Sequence, residues 1–105
     1  MLERSEYMPL EYIRKQKWTG SFQGMRFLLH RIEKEEQSIL EAVIWKEPYS
    51  FEATPEEEKH RQQFPFSEEG REQAIVWLEE EYEQHREEWR SAMKWDWERK
   101  TVEKI

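Results

Sequence analysis

Cysteine is absent from the 105 residues, which excludes disulfides, thiol nucleophiles and thiolate metal sites together. Asparagine is absent too, and aspartate occurs once, at Asp96. Almost all the negative charge is therefore glutamate, the acid that tolerates helices best. Glycine occurs three times and forms no flexible linker, so the chain reads as one domain over residues 1–105. No apolar run approaches the roughly 20 residues needed to span a bilayer, so no membrane association is expected. Met1-Leu2-Glu3-Arg4-Ser5-Glu6 has neither the basic start nor the apolar stretch of a signal peptide. The expected compartment is the cytoplasm.

What is present is aromatic and acidic. Charged residues make up 39% and the hydrophobic set only 36%, a balance close to that of disordered chains. Six Trp, four Tyr and five Phe argue for a core built from a few large side chains. The net charge of −7 is uneven. Residues 1–53 carry nine acids and eight bases, residues 54–90 twelve and five, and residues 91–105 three and four. The middle stretch holds the excess. Direct nucleic-acid binding through a basic face is not expected, because such affinity comes largely from Lys and Arg on phosphates.

Residues 1–11 read as a loose arm, with Pro9 blocking a helix across it. Tyr12 to Trp18 reads as a short strand, and Thr19-Gly20-Ser21 as a turn. Gln23 to Glu33 reads as a second strand, Lys34 to Ser38 as a polar hairpin loop, and Ile39 to Glu47 as a third strand. Pro48 ends that strand or places it at an edge. Thr54-Pro55-Glu56-Glu57 has the form of a helix start with a capping box, opening a short helix. Gln62 to Phe66 reads as extended. Ser67 caps the last element, with Glu68 and Glu69 set against the positive end of its dipole.

From Glu68 the helical period is plain. Arg71, Ala74, Ile75, Leu78, Tyr82, His85, Trp89, Ala92 and Met93 fall within one stripe about 100° wide, with Glu79, Glu83 and Glu87 opposite. Asp96 would break the stripe. The spacing predicts a long acidic helix over 68–93, roughly 39 Å in length, and a tail over 94–105. The expected fold is α+β: a small antiparallel sheet of three or four strands packed against one long C-terminal helix.

Three segments taken together, Trp18 to Arg26, Glu41 to Tyr49 and Phe64 to Gly70, resemble a family of small proteins from gut Firmicutes and their mobile elements. The resemblance spans residues 12–93. Members carry a label of GNAT-type acetyltransferase or none, and the resemblance implies no role for any residue. An acetyltransferase holds the pyrophosphate of acetyl-coenzyme A on a glycine-containing loop before a helix. No stretch here fits that motif. Gly20 and Gly24 precede a strand, and Gly70 stands among glutamates that would repel a phosphate.

Other chemistry has little support. His30, His60 and His85 lack metal-ligand spacing. Glu81, His85 and Glu88 could form a weak carboxylate–histidine site, but a packed histidine beside surface glutamates is the simpler reading. No serine lies in a nucleophile elbow. No cofactor and no metal are expected. Two features remain. The glutamate runs, Glu80, Glu81, Glu87 and Glu88 among them, are either a solvated helix face or an acidic surface that meets a basic groove. Trp77 and Trp95 share a flank about 60° outside the stripe, and Trp97 lies beyond the opposite edge. They either pack on the sheet rim or anchor a protein interface.

These residues point to a non-enzymatic acidic binding protein of a mobile element. Its sharpest form is an anti-CRISPR-type inhibitor of a host nucleic-acid enzyme, with Trp77, Glu80, Glu81, Glu87, Glu88, Trp95 and Trp97 as partner-binding residues. The partner would be a basic nucleic-acid-binding protein. A small homodimeric structural protein is the alternative, and a divergent acyltransferase the third reading.

Overall fold

A computed structural model describes residues 6–47 and 49–91. Four strands run as an antiparallel meander in the order β1-β2-β3-β4: β1 (Trp18–Phe22), β2 (Met25–Lys34), β3 (Gln37–Lys46) and β4 (His60–Pro65). Helix α1 (Leu10–Lys15) precedes the sheet and α2 (Glu68–Gln84) follows it. The fold is thus the expected α+β arrangement of a small antiparallel sheet with a long helix packed on it. That helix is not strictly C-terminal, since chain continues beyond it.

The pleat divides the sheet into two faces. Met25, Phe27, Leu29, Leu40, Ala42 and Ile44 point to one of them and are buried with Ala74, Ile75, Leu78 and Tyr82 of α2. Trp89 completes this core, so the apolar stripe meets the sheet as its period requires. On the other face Leu28, Val43 and Trp45 form a second, smaller cluster with Phe51. Phe51 belongs to the segment between β3 and β4, which crosses back over the sheet. Trp45 Nε1 donates to the Tyr49 carbonyl at 2.8 Å, and the Thr54 hydroxyl donates to the Ser50 carbonyl at 2.7 Å.

Several expectations are corrected. Residues 6–11 are not a loose arm: Tyr7 and Leu10 are buried. Pro9 does not exclude a helix but opens one, its carbonyl accepting from Tyr12 and Ile13 N–H at 3.1 and 3.2 Å. Tyr12 to Lys15 are therefore helical rather than extended, with Leu10 and Ile13 three apart on the buried side. Gly20 is not in a turn. It sits mid-strand because the Phe27 ring lies over it; a Cβ there would stand 2.6 Å from Phe27 Cζ. The turn is Gln23-Gly24, and both residues have positive φ. The β2–β3 loop is likewise two residues, Glu35-Glu36, with φ of 52° and 67°. Such a turn matches the strand twist.

Thr54 does not cap a helix: its hydroxyl donates to the Ser50 carbonyl, and Glu56–Glu58 is a single 3₁₀ turn whose N-cap position is Pro55, with no side-chain cap bond. Ser67 does cap α2, accepting from Gly70 N–H at 3.1 Å. The helix does not run unbroken over 68–93. It ends at Gln84, His85 adopts φ −117° and ψ 27°, and residues 86–91 are helical again. Ala92, Met93 and the 94–105 tail lie outside the described residues.

Candidate functional site

Two features of β4 and α2 bring their outer sides together. The Ser67 cap starts α2 immediately after the strand ends at Pro65. Gly70 then lies on the Pro65 carbonyl so closely that a Cβ would collide with it. The absence of a side chain therefore sets how close the helix comes to the edge strand.

Alongside the buried stripe, α2 carries a second flank. Glu69, Gln73, Val76 and Glu80 recur at helical spacing, and Trp77 lies between this row and the core. This flank and β4 enclose an open cleft of about 490 Å³, lined by Gln62 and Phe64 on one side and by Glu69, Gln73, Val76, Trp77 and Glu80 on the other. The rings of Phe64 and Trp77 lie 6.3 Å apart at 60°, forming its apolar floor. Val76 is 39% exposed, the exposed aliphatic among the large hydrophobic side chains of the described residues. Carboxylates surround it: α2 holds seven glutamates and one arginine. The arginine is Arg71, which donates to the Tyr7 and Met8 carbonyls at 2.9 and 3.0 Å and so ties residues 6–9 to the helix.

The expected partner-binding residues separate into four groups. Trp77 and Glu80 meet in the cleft. Glu81 and Glu88 do not face it: their carboxylates flank His85, at 3.5 Å from Nε2 and 3.4 Å from Nδ1. The His85 ring stacks on His60 at 6.1 Å and meets Trp89 edge-on at 5.9 Å. Glu87 is exposed on residues 86–91, with Arg90 at 3.9 Å. Trp95 and Trp97 lie outside the described residues. No group of three or more His, Asp or Glu among the described residues is placed to hold a metal ion. No described helix is long and apolar enough to cross a membrane.

Sequence reasoning does not single out Phe64 and Val76. Val76 carries a weak signal, as an aliphatic residue next to Trp77 but off the stripe. Phe64 carries none, because only the pairing of β4 with the helix reveals it.

The opposite face carries a polar network. Glu41, at 6% exposure, is the buried acid at its centre. Its Oε1 accepts from Arg61 at 2.9 Å and lies 2.7 Å from His30 Nε2, while Gln63 Nε2 donates to Oε2 at 3.4 Å. Arg61 also holds Glu56 through two bonds of 2.9 and 3.0 Å. Burial pushes the Glu41 carboxyl up, but the His30 and Gln63 hydrogen bonds and the Arg61 charge outweigh it and hold it below its ordinary value. The network satisfies a buried charge and joins β2, β3 and β4. Further along this face Arg26 differs from every residue in the network. It makes no hydrogen bond or ion pair among the described residues, and its Nε is buried without an acceptor. Leaving such a donor unpaired costs about 1–3 kcal/mol.

No family model, no curated protein and no solved structure matches the chain.

Proposed function

We propose that this chain is a non-enzymatic binding protein whose β4–α2 cleft receives a basic segment of a partner protein. The observation that carries this reading is the apolar floor of the cleft, half-buried Phe64 and Trp77 beside exposed Val76, with glutamates of α2 at its rim. An apolar floor supplies affinity through buried aromatic area. A carboxylate rim steers and orients a positively charged partner. The sharpest form of the proposal is an inhibitor of a host nucleic-acid enzyme, of anti-CRISPR type and carried by a mobile element. The basic groove of such an enzyme matches the charge of this rim.

The alternatives fit this surface less well. A twofold homodimer through the cleft would set one carboxylate rim against its copy, because an isologous interface presents the same patch twice. An acyltransferase would need α2 to receive a pyrophosphate. Its first turn carries Glu68 and Glu69, and Gly70 is occupied by packing on Pro65.

Affinity capture from host lysate tests the proposal when variants are compared. A partner that is retained by the parent and by Glu36→Lys at the β2–β3 turn, but lost by Trp77→Ala and by Glu80→Lys, supports the cleft. A partner retained equally by all four proteins contradicts it.

A further inference from the structure

The sheet face turned away from α2 holds a cavity of about 400 Å³ with a different chemical character. Its floor is Leu28 and Trp45, both buried, and Phe51 closes one side. Phe51 is held from several directions. It meets Trp45 edge-on at 5.5 Å, and Lys59 Nζ sits 3.8 Å from its ring centroid. The wall is therefore fixed by the crossing segment. Thr19 and Ser21 present hydroxyls from edge strand β1, and Ser50 supplies another from the crossing segment. Lys17 and Glu52 stand 3.7 Å apart across the exposed side.

Arg26 is the charged group of this cavity that the fold leaves unused. It pairs across the strands with Ser21 on one side and Trp45 on the other, so it stands between the hydroxyls and the aromatic floor. Elsewhere on this face arginine is fully engaged, as Arg61 shows with Glu41 and Glu56. No aromatic ring stacks on Arg26 among the described residues, and its Nε has no acceptor.

We infer that this cavity is a binding site for a small monocarboxylate on a flat apolar body. The guanidinium fork matches two carboxylate oxygens, and the Arg26 charge has no ion-pair partner among the described residues that a ligand would have to displace. Leu28, Trp45 and Phe51 take the apolar body, and the Thr19 and Ser21 hydroxyls can donate to the same head group. Charge sets the limit on the ligand. Arg26, Lys17 and Glu52 leave the cavity one positive charge in a chain of net charge −7. One anionic charge is matched, whereas a polyphosphate would be repelled by the whole molecule.

Titration of the ¹⁵N-labelled protein with benzoate, benzamide and inorganic phosphate tests this. Benzoate should give saturable shifts confined to residues 17–28, 45 and 50–52. Benzamide, its neutral isostere, should bind at least about tenfold more weakly. Arg26→Gln should weaken benzoate by about the same factor while its thermal midpoint stays at or above that of the parent. Should that variant fail to fold, Arg26→Lys keeps the charge but not the fork, and a several-fold loss is expected. Four results would overturn the inference: no saturation by about 10 mM benzoate, equal binding of benzamide, phosphate binding as tightly as benzoate, or Arg26 variants that bind like the parent.

Discussion

Gly24 lies directly beneath the Trp89 carbonyl, so closely that a side-chain carbon at Gly24 would occupy the same space. The contact joins the β1–β2 turn to the helical residues 86–91. It also fixes the buried Trp89 ring over the core after the helix has broken at His85. Gly24 has φ +94°, a conformation that penalises any side chain independently of the contact. Gly24→Ala should therefore destabilise by roughly 2–4 kcal/mol, from backbone strain and forced displacement of the Trp89 backbone. Urea unfolding measures this. A loss under about 0.5 kcal/mol would mean that residues 86–91 are not anchored on the turn.

Leu78 is fully buried at the centre of the α2 stripe. Leu78→Ala should cost about 2–5 kcal/mol, the range for a cavity in a packed core. Calorimetric unfolding of parent and variant checks it. A fold retained with almost no loss would place another face of the helix against the sheet.

The β2–β3 turn is made from two glutamates, both at positive φ. The chain contains no asparagine, and Asn-Gly is the pair that this turn favours. Replacing Glu35 by Asn and Glu36 by Gly should stabilise by about 1–2 kcal/mol in total, by relieving strain and like charge. Thermal unfolding of the double variant measures the gain. An unchanged or lower midpoint would contradict the turn geometry.

Glu41 makes stability depend on pH in a defined direction. Burial raises its carboxyl, but the His30 and Gln63 hydrogen bonds and the Arg61 charge prevail and hold it below its ordinary value of 4.5. The folded state then binds the proton less readily than the unfolded chain. Its contribution is present in full above the unfolded value and is lost as pH falls through the lower folded value. Glu41→Gln should cost about 1–2 kcal/mol at neutral pH, less than for a fully enclosed pair because Arg61 is partly solvated. The difference between parent and variant should shrink as pH drops below 4.5. A difference that grows under acid would reverse the assignment.

How much of the structure is legible in the sequence follows from how local each signal is. The Ser67 cap and the α2 stripe depend on spacing within one element, and the structure holds both. The break at His85 is hidden, because His85 keeps its place on the stripe and a period cannot register one altered residue. Helix α1 reads as strand because six residues are too few to display a helical period, and Pro9 suggests a barrier rather than a start. Gly20 resembles a turn residue because its partner, the Phe27 ring, comes from the next strand. The candidate cleft is half legible. Trp77 stands out by its position off the stripe, but Phe64 joins it only through the packing of α2 on β4. Glu81 and Glu88 are set apart from Glu80 by their spacing of four and three residues from His85, and the structure brings both carboxylates to that ring. The Arg26 cavity depends on a segment of 49–59 that crosses the sheet, which no periodicity describes.

The cleft proposal is tested most directly by selecting random displayed peptides against the parent protein, with a Trp77→Ala, Glu80→Lys double variant as counter-selection. The selection reads the chemistry of the occupant from the cleft itself. Enriched peptides should combine Lys or Arg with one large apolar residue. Their affinity should fall at least about tenfold on the double variant, and fall again as salt rises. Enrichment of neutral or acidic peptides, or of basic ones that bind parent and double variant equally, would contradict it.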